Sequence, residues 1–246
     1  MANSASGDSV VDRIVRIIEA FPEGSSSLRL SELAATAGLP LTSTHRLVRQ
    51  LAEHGLLELG AAGNVRLGMR LWELVNRNSP TLALRQAAVP FMEDIQQVLN
   101  QNVNLAVLDG WEALFVERLS RRGSVANRAR VAGRMPVHIS SVGLALMANQ
   151  PRERQAEYLE QFSDPAGRVT ADVVRHLLAE TAQQGYAQLA GAVDPDTWGI
   201  AVPVRNMKRR TVAALGVVVP LAEMRLQALV PALQTAARGI GRRLAE

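Results

Sequence analysis

Cysteine is absent from this sequence of 246 residues. Its absence excludes a disulfide framework, a cysteine-ligated zinc or iron–sulfur site and a cysteine nucleophile. Long apolar runs are absent too: the longest stretch without a charged or polar side chain is residues 212–222, well short of the roughly 20 residues that cross a membrane. Residues 1–8 lack the apolar segment of a secretory signal. We therefore expect a cytoplasmic protein with no membrane partner.

Lysine is nearly absent as well. Lys208 is the single lysine, so arginine supplies almost all of the 27 basic residues, which against 23 acidic residues give a net charge of +4. Residues 1–78 hold eight basic and eight acidic side chains, whereas residues 79–246 hold 19 and 15. If the N-terminal part binds DNA, a local basic patch must do so, because its overall charge is zero.

Apolar residues recur at helical spacing in three N-terminal segments. The first predicted helix is capped by Ser9 and ends before Pro22. The second and third predicted helices begin at Ser31 and Pro40 and are joined by a short turn at Gly38. Two short extended segments with a glycine-rich tip follow, at residues 56–59 and 64–67. This order predicts a helix-turn-helix followed by a hairpin wing.

The second helix of such a motif enters the major groove of DNA, and its first residues contact the bases. Hydroxyl groups suit phosphate oxygens, and arginine forks onto guanine. Residues 40–52 contain no acidic side chain, which favours this interpretation over a helical hairpin with a solvated polar face. The predicted DNA contacts are Thr42, Ser43, Thr44, His45, Arg46 and Arg49 on the helix and Asn64 and Arg66 on the wing.

The rest of the chain mixes helical and extended patterns, which predicts a mixed α/β second domain. Helices are predicted at residues 81–101 (with Pro90 as a break), 140–148, 152–162, 171–184 and 223–244. Extended segments are predicted at residues 103–108, 113–119, 131–137, 200–204 and 211–219.

Several short motifs in a fixed order resemble the IclR family of bacterial transcription regulators. They are residues 38–40, 46–47, 54–56 and 66–68 in the N-terminal part, and residues 133–138, Gly143, Leu146, 185–187 and 200–204 in the C-terminal part. Residues 1–8 contain mostly small and polar side chains and are expected to form a flexible tail. The resemblance implies a winged helix-turn-helix at residues 9–78, a linker helix at residues 79–88 and a GAF-like α/β effector-binding domain at residues 89–246. It also implies dimers or tetramers that bind palindromic double-stranded operator DNA as repressors or activators. A recognition helix that works alone reads too few base pairs to be specific, which supports a symmetric assembly.

The family places a small-molecule site in the cup of the C-terminal sheet. Positions that are polar in relatives recognising very small oxo-acids carry apolar or no side chains in this sequence, and we expect Gly199 and Gly216 to make room there. The resemblance therefore implies an organic acid larger and more apolar than glyoxylate or pyruvate, such as a hydroxybenzoate, as the effector of a regulated catabolic operon. The predicted effector contacts are Asn127, Ser140, Ser141, Val142, Leu189, Trp198, Gly199, Gly216 and Val218.

No sequence motif predicts catalysis, a cofactor or a metal. A nucleophile elbow, a P-loop and a dinucleotide-binding glycine motif are all missing, and the four histidines lack metal-ligand spacing. The alternative function is a hydrolase acting on an aromatic ester or hydrazide, in which His138 and Asp109 would activate Ser140 or Ser141. We interpret His138 instead as a structural histidine at a strand–helix corner and predict that the protein is not an enzyme.

Overall fold

The computed structural model describes residues 8–22, 27–60, 63–120 and 128–244. The chain divides into two compact units, residues 1–79 and residues 80–246. None of the helices in the described ranges is long and apolar enough to cross a membrane.

The N-terminal unit is a small helical domain with a three-stranded antiparallel sheet, counted over its described residues. Its elements are α1 (Val10–Glu19), β1 (Leu28–Arg29), α2 (Leu30–Thr36), α3 (Leu41–Glu53), β2 (Leu57–Leu59), β3 (Asn64–Leu67) and α4 (Met69–Asn78). The strand order is β1-β3-β2. Ile17, Leu33, Leu47 and Val65 meet in its core. This arrangement confirms the predicted winged helix-turn-helix.

Local signals explain most of the helix ends in this unit. Ser9 caps α1, since its hydroxyl accepts the N–H of Asp12, whose carboxylate accepts the N–H of Ser9 in return. The predicted start of α2 at Ser31 is wrong by one position, because Arg29 is the N-cap residue and the carboxylate of Glu32 accepts its N–H at 3.0 Å. Gly38 has a φ of 63°, a left-handed conformation that ends the α2 turn.

The C-terminal unit is built on one antiparallel sheet, in which the described strands follow the order β6-β5-β4-β9-β8-β7. Its helices are α5 (Pro80–Leu99), α6 (Ser141–Met147), α7 (Arg152–Glu160), α8 (Ala171–Gln184) and α9 (Leu226–Arg243). Its strands are β4 (Asn102–Asp109), β5 (Glu112–Leu119), β6 (Arg134–Pro136), β7 (Ala187–Ala190), β8 (Thr197–Arg205) and β9 (Thr211–Pro220). The predicted mixed α/β domain is confirmed.

Two apolar cores lie on the two faces of this sheet. Helices α5 and α9 pack on one face, where Met92, Leu105 and Leu233 are buried. Helices α6 and α8 pack on the other, with Phe115 and Leu178. Because neighbouring residues of a strand point to opposite faces, each central strand contributes to both cores.

Two sequence expectations fail in this unit. Helix α5 continues through Pro90. Pro90 is exposed, and so is Gln86, whose carbonyl loses its helical hydrogen bond to the proline. Strand β7 is missing from the prediction, since its four residues carry no β-branched side chain. Pairing with β8 makes it a strand.

Candidate functional site

Helix α3 presents one face to the core and one to solvent. Leu47, Val48 and Leu51 are buried, whereas Thr42, His45, Arg46 and Arg49 are exposed and Ser43 is half-buried. The side chains of Arg46 and Arg49 form no hydrogen bond or ion pair with the residues that the structure describes. Their guanidinium groups are therefore available to phosphates and base edges.

Thr44 corrects the set of predicted DNA contacts. It is 0% exposed, and its hydroxyl donates to the carbonyl of Pro40 at 3.1 Å. It lies three and four residues before Leu47 and Val48, on the apolar side of α3. Its side chain therefore belongs to the core and cannot reach DNA.

The wing is less basic than its sequence suggests. Arg66 and Glu58 face each other across β2 and β3, and the Arg66 Nε donates to the Glu58 carboxylate at 2.7 Å. Hydrogen bonds from the Arg66 side chain and from the Met69 N–H hold the pKa of Glu58 below its usual value. Asn64 is half-buried on the same strand. The Arg66 charge is thus largely balanced within the wing.

A cavity of about 60 Å³ lies between α6 and the sheet of the C-terminal unit. A single water needs roughly 10–15 Å³ on the same measure, so the space holds a molecule of several heavy atoms. The chain brings together here many of the predicted effector residues, namely Ser140, Ser141, Val142, Leu189, Gly199, Gly216 and Val218. These residues come from α6, its N-cap and three strands.

A close approach of backbone segments fixes α6 at the cavity. Ser140 caps the helix, since its hydroxyl accepts the Gly143 N–H at 3.1 Å. A Cβ on Gly143 would lie 2.7 Å from the Cα of Val137 and 2.6 Å from the Ser140 hydroxyl oxygen. Only glycine fits there, and it allows the 3-10 turn at Val137–Ile139 to pack directly against α6.

Gly199 and Gly216 act differently from what the sequence suggested. A Cβ on Gly199 would lie 2.9 Å from the hydroxyl oxygen of Ser141, and one on Gly216 would lie 2.8 Å from a methyl group of Val142. Side chains of α6 therefore occupy the space that these glycines leave. The two glycines let α6 approach the sheet, and they do not by themselves open room for a ligand.

Polar side chains that the sequence analysis missed also line the cavity. They are Asn104, Arg128, Asp194 and Thr197. Arg128 is the one cation and Asp194 the one carboxylate in the described lining. A signal existed for Asn104, since two asparagines alternate at the start of an otherwise apolar strand, and Asn104 lies beside Gly216 in the sheet. Arg128 and Asp194 come from connecting segments without a pattern, and Thr197 is the first residue of β8.

Trp198 does not line the cavity, which corrects its predicted role. It directly precedes Gly199 on β8 and therefore points to the opposite face of the sheet, where it packs against the core under α5 and α9. Asn127, also predicted at the effector site, lies outside the described residues.

The contacts of His138 argue against the hydrolase alternative. Its ring is 6% exposed, with Nδ1 at 3.3 Å from the Tyr158 hydroxyl and Nε2 at 4.0 Å from the Asp164 carboxylate. Burial lowers the pKa of His138 and raises that of Tyr158 to about 12. Asp109 forms its ion pair with Arg134 instead.

Ser140 and Ser141 are not positioned as the nucleophile of such a triad either. The Ser140 hydroxyl is engaged in the helix cap, and no hydrogen bond joins His138 to Ser140 or Ser141 among the described residues. His138 therefore packs as a structural histidine, in an edge-to-face contact with the Phe162 ring and within reach of the Tyr158 hydroxyl. The described residues also contain no cluster of three or more histidines and carboxylates that could hold a metal.

Comparison with known families agrees with both units. The helix-turn-helix domain of IclR regulators matches residues 10–59, and the C-terminal domain of bacterial IclR transcriptional regulators matches residues 79–242. The chain belongs to the IclR family. It is a transcription regulator with a DNA-binding helix-turn-helix and an effector-binding domain, and it is not an enzyme.

Individual relatives extend this picture over the whole chain. An IclR homologue from Microbacterium hydrocarbonoxydans, solved in complex with 4-hydroxybenzoate, is 42% identical, with 96% of this chain and 99% of that chain covered and a TM-score of 0.87. The transcriptional regulator XynR of Escherichia coli is 28% identical over 83% of each chain. The regulator KipR of Bacillus subtilis is 28% identical over 89% of this chain and 90% of its own.

Proposed function

We propose that this IclR-family regulator senses a hydroxyaromatic carboxylic acid of the 4-hydroxybenzoate type and changes its affinity for the operator of a catabolic operon in response. The observation that carries the proposal is the composition of the α6 cavity. Apolar side chains form most of its wall, with one guanidinium and one carboxylate in the described lining. Ligand sites have this composition, with few polar groups that fix the orientation of the ligand.

The chemistry of a hydroxybenzoate matches these groups. Its planar ring suits the apolar surfaces of Phe115, Met135 and Val142. Its carboxylate suits Arg128, because a guanidinium donates two parallel hydrogen bonds to a carboxylate. Its phenol hydroxyl suits Asp194 as an acceptor. The relative that is 42% identical and was solved with 4-hydroxybenzoate supports the same ligand class.

Thermal unfolding of the full chain against a panel of acids tests the proposal. We expect 4-hydroxybenzoate to raise the unfolding temperature, since a ligand bound only by the native state at 100 times Kd adds about 2.7 kcal/mol of stability. Arg128→Met should abolish the shift. Arg130→Met, which removes a cation two positions away and outside the cavity lining, should preserve it. A shift with glyoxylate or pyruvate alone would contradict the proposal.

The same proposal assigns the operator contacts. Thr42, Ser43, His45, Arg46 and Arg49 would contact the major groove, because the described side chains of this set lie on the outer side of α3. Asn64 and Arg66 on the wing would contact the phosphate backbone, where they orient the unit without reading sequence.

A second copy of the chain completes the proposed DNA-binding form. Two helices of the N-terminal unit expose apolar side chains: Val11 of α1 is 67% exposed, and Met69 and Trp72 of α4 are 62% and 63% exposed. Met69 and Trp72 are three residues apart on α4 and so share one face of that helix, and an exposed apolar face marks a candidate interaction surface. Pairing them between copies would set two recognition helices on a palindrome, about 34–36 Å apart.

Sedimentation of the full chain tests this assignment of the surface. Trp72→Glu should shift the population toward smaller species and weaken operator binding. Leu221→Glu introduces the same charge at an exposed apolar residue of the C-terminal unit, 42% exposed, and should leave both unchanged. If the two variants sediment as species of the same size, the proposed role of α4 is contradicted.

A further inference from the structure

Strand β5 touches the effector cavity and the linker helix α5 with neighbouring residues. Phe115 lines the cavity and pairs with Ala106 on β4, whereas Glu117 pairs with the preceding β4 residue, Leu105. Val116 is therefore an extra residue, a bulge, between them. Bulges re-aim side chains, and here Val116 joins the core under α5 while Phe115 belongs to the core under α6.

Glu117 is a buried carboxylate that contacts α5. Its side chain is 7% exposed and forms an ion pair with Arg85 of α5, which is 50% exposed. The other carboxylate oxygen of Glu117 accepts the N–H of Arg118 at 2.8 Å. Separating the guanidinium from this carboxylate would leave a buried charge without its partner, which is strongly unfavourable. The strand and the helix are therefore held together at this point.

The next residue returns to the cavity wall. The Arg118 guanidinium donates to the carbonyl of Ala129 at 2.6 Å, and Ala129 lines the cavity. Within four consecutive residues, β5 thus contacts the cavity through Phe115, the linker helix through Glu117 and the cavity wall again through Arg118. Helix α5 begins at Pro80, directly after the DNA-binding unit ends at Ser79.

We propose that the Arg85–Glu117 ion pair is the positioning contact that transmits occupancy of the cavity to the linker helix. A ligand that presses on Phe115 and Ala129 displaces β5 at its bulge. Because the Arg85 side chain is paired with the buried carboxylate, it moves with Glu117, and the position of α5 changes as a result. The inference rests on the proposed sensing function, and by thermodynamic linkage the operator must act back on ligand affinity through the same contact.

The experiment separates binding from coupling. Three dissociation constants are measured for the full chain. The first is that of 4-hydroxybenzoate without DNA, by calorimetry. The second and third are those of a DNA duplex that the protein selects from a random pool, without ligand and at saturating 4-hydroxybenzoate. The ratio of the last two is the coupling factor, typically about 5–150-fold in allosteric proteins. The variants are Glu117→Gln, Arg85→Met and the double variant, which leaves no buried charge unpaired.

We expect the coupling factor to fall toward one in all three variants, while the Kd of 4-hydroxybenzoate without DNA stays within about threefold of the original value. Arg85→Lys, which keeps the charge, should retain part of the coupling. Arg175→Met removes an arginine from the exposed Arg175–Asp172 pair on α8 and should retain all of it. A coupling factor unchanged within about twofold in the folded double variant would overturn the inference, since allosteric coupling energies are larger than that.

Failure of the sensing function is recognised separately. If 4-hydroxybenzoate does not bind the unaltered chain, the proposed ligand is wrong. The substitution Ala129→Met then takes the place of the ligand, because it puts a larger side chain on the cavity wall. The inference then expects Ala129→Met to change the Kd of the selected duplex and Glu117→Gln to cancel that change. A change that persists with Glu117→Gln, or no change from Ala129→Met at all, overturns the inference.

Discussion

The DNA-binding unit and the effector-binding unit carry their candidate sites in opposite ways. On α3, the side chains of Arg46 and Arg49 are exposed and form no ion pair or hydrogen bond with other described residues, so the fold does not depend on these side chains. In the cavity, Ser141 and Val142 are 9% and 3% exposed and pack against the sheet. We therefore expect a change on the exposed face of α3 to alter function alone, whereas a change in the cavity alters packing as well.

The largest effect that this comparison predicts is at Gly143. A valine there would place Cβ against the backbone of Val137, which cannot move away as a flexible side chain would. We expect Gly143→Val to lower the free energy of unfolding of the C-terminal unit by about 3 kcal/mol or more, measured by calorimetry of the full chain.

Gly167→Asn is the matched control for this substitution. Gly167 has a φ of 63°, and beyond its chain neighbours no heavy atom of the described residues lies within 4 Å of the place that a Cβ would take. Asparagine tolerates this conformation better than other residues with a side chain. Its effect should remain below about 1 kcal/mol. Similar losses from both substitutions would show that backbone contact at Val137 is not what requires glycine.

The next largest effect concerns operator binding at Arg46. Arg46→Ala should weaken binding of the selected duplex by about 1–3 kcal/mol and change the unfolding free energy by less than about 0.5 kcal/mol, as is usual for a surface residue. Titration of the duplex by fluorescence anisotropy measures the first quantity, and urea unfolding measures the second.

Thr44→Val sharpens the contrast within one helix. Thr44 is two positions from Arg46 but faces the core, and its hydroxyl donates to Pro40. This substitution should cost about 1 kcal/mol of stability through the lost hydrogen bond and leave sequence preference unchanged. Altered base preference with Thr44→Val, or equal stability losses in both variants, would refute the division of α3 into two faces.

Sequence patterns account for the two faces of α3 better than for the cavity, for physical reasons. Helix α3 lies between Pro40 and Gly55, residues that act locally on the backbone, and its polar face follows from the helical period once its apolar face is known. The cavity depends on the register that pairs Asn104 with Gly216, residues more than 100 positions apart. No local propensity specifies that register.

Local rules also failed where tertiary structure overrides them. Pro90 predicts a helix break, yet α5 continues because Pro90 lies on its exposed side. Strand β7 has little intrinsic β-propensity and exists through its pairing with β8. Alternation along β8 assigns Trp198 and Gly199 to different faces, but which face carries the cavity becomes clear only when α6 is in place.

His138 predicts a smaller effect, in the pH dependence of stability. Burial lowers the pKa of His138 in the folded chain, while the unfolded chain retains the usual value of about 6.5. As the pH falls through about 6.5, the unfolded chain binds a proton that the folded chain does not, so the free energy of unfolding falls until the pH reaches the lower pKa. His138→Gln should therefore lose less stability between about pH 7 and pH 5 than the unaltered chain, measured by urea unfolding at each pH. Parallel curves would show that this ring does not titrate differently on folding.

The smallest expected effect is at the wing. Because Arg66 already pairs with Glu58, reaching a phosphate requires it to give up this exposed ion pair, which offsets part of what the phosphate contact gains. Arg66→Ala should therefore lower the salt slope of operator binding by less than the roughly one unit lost with a free phosphate contact, and Glu58→Gln should tighten binding by releasing Arg66. The slope is measured by anisotropy over a series of salt concentrations, with Arg49→Ala as the comparison. If Arg66→Ala lowers the slope as much as Arg49→Ala does, the ion pair with Glu58 does not weaken the phosphate contact of Arg66, and the wing contributes to DNA binding as fully as α3.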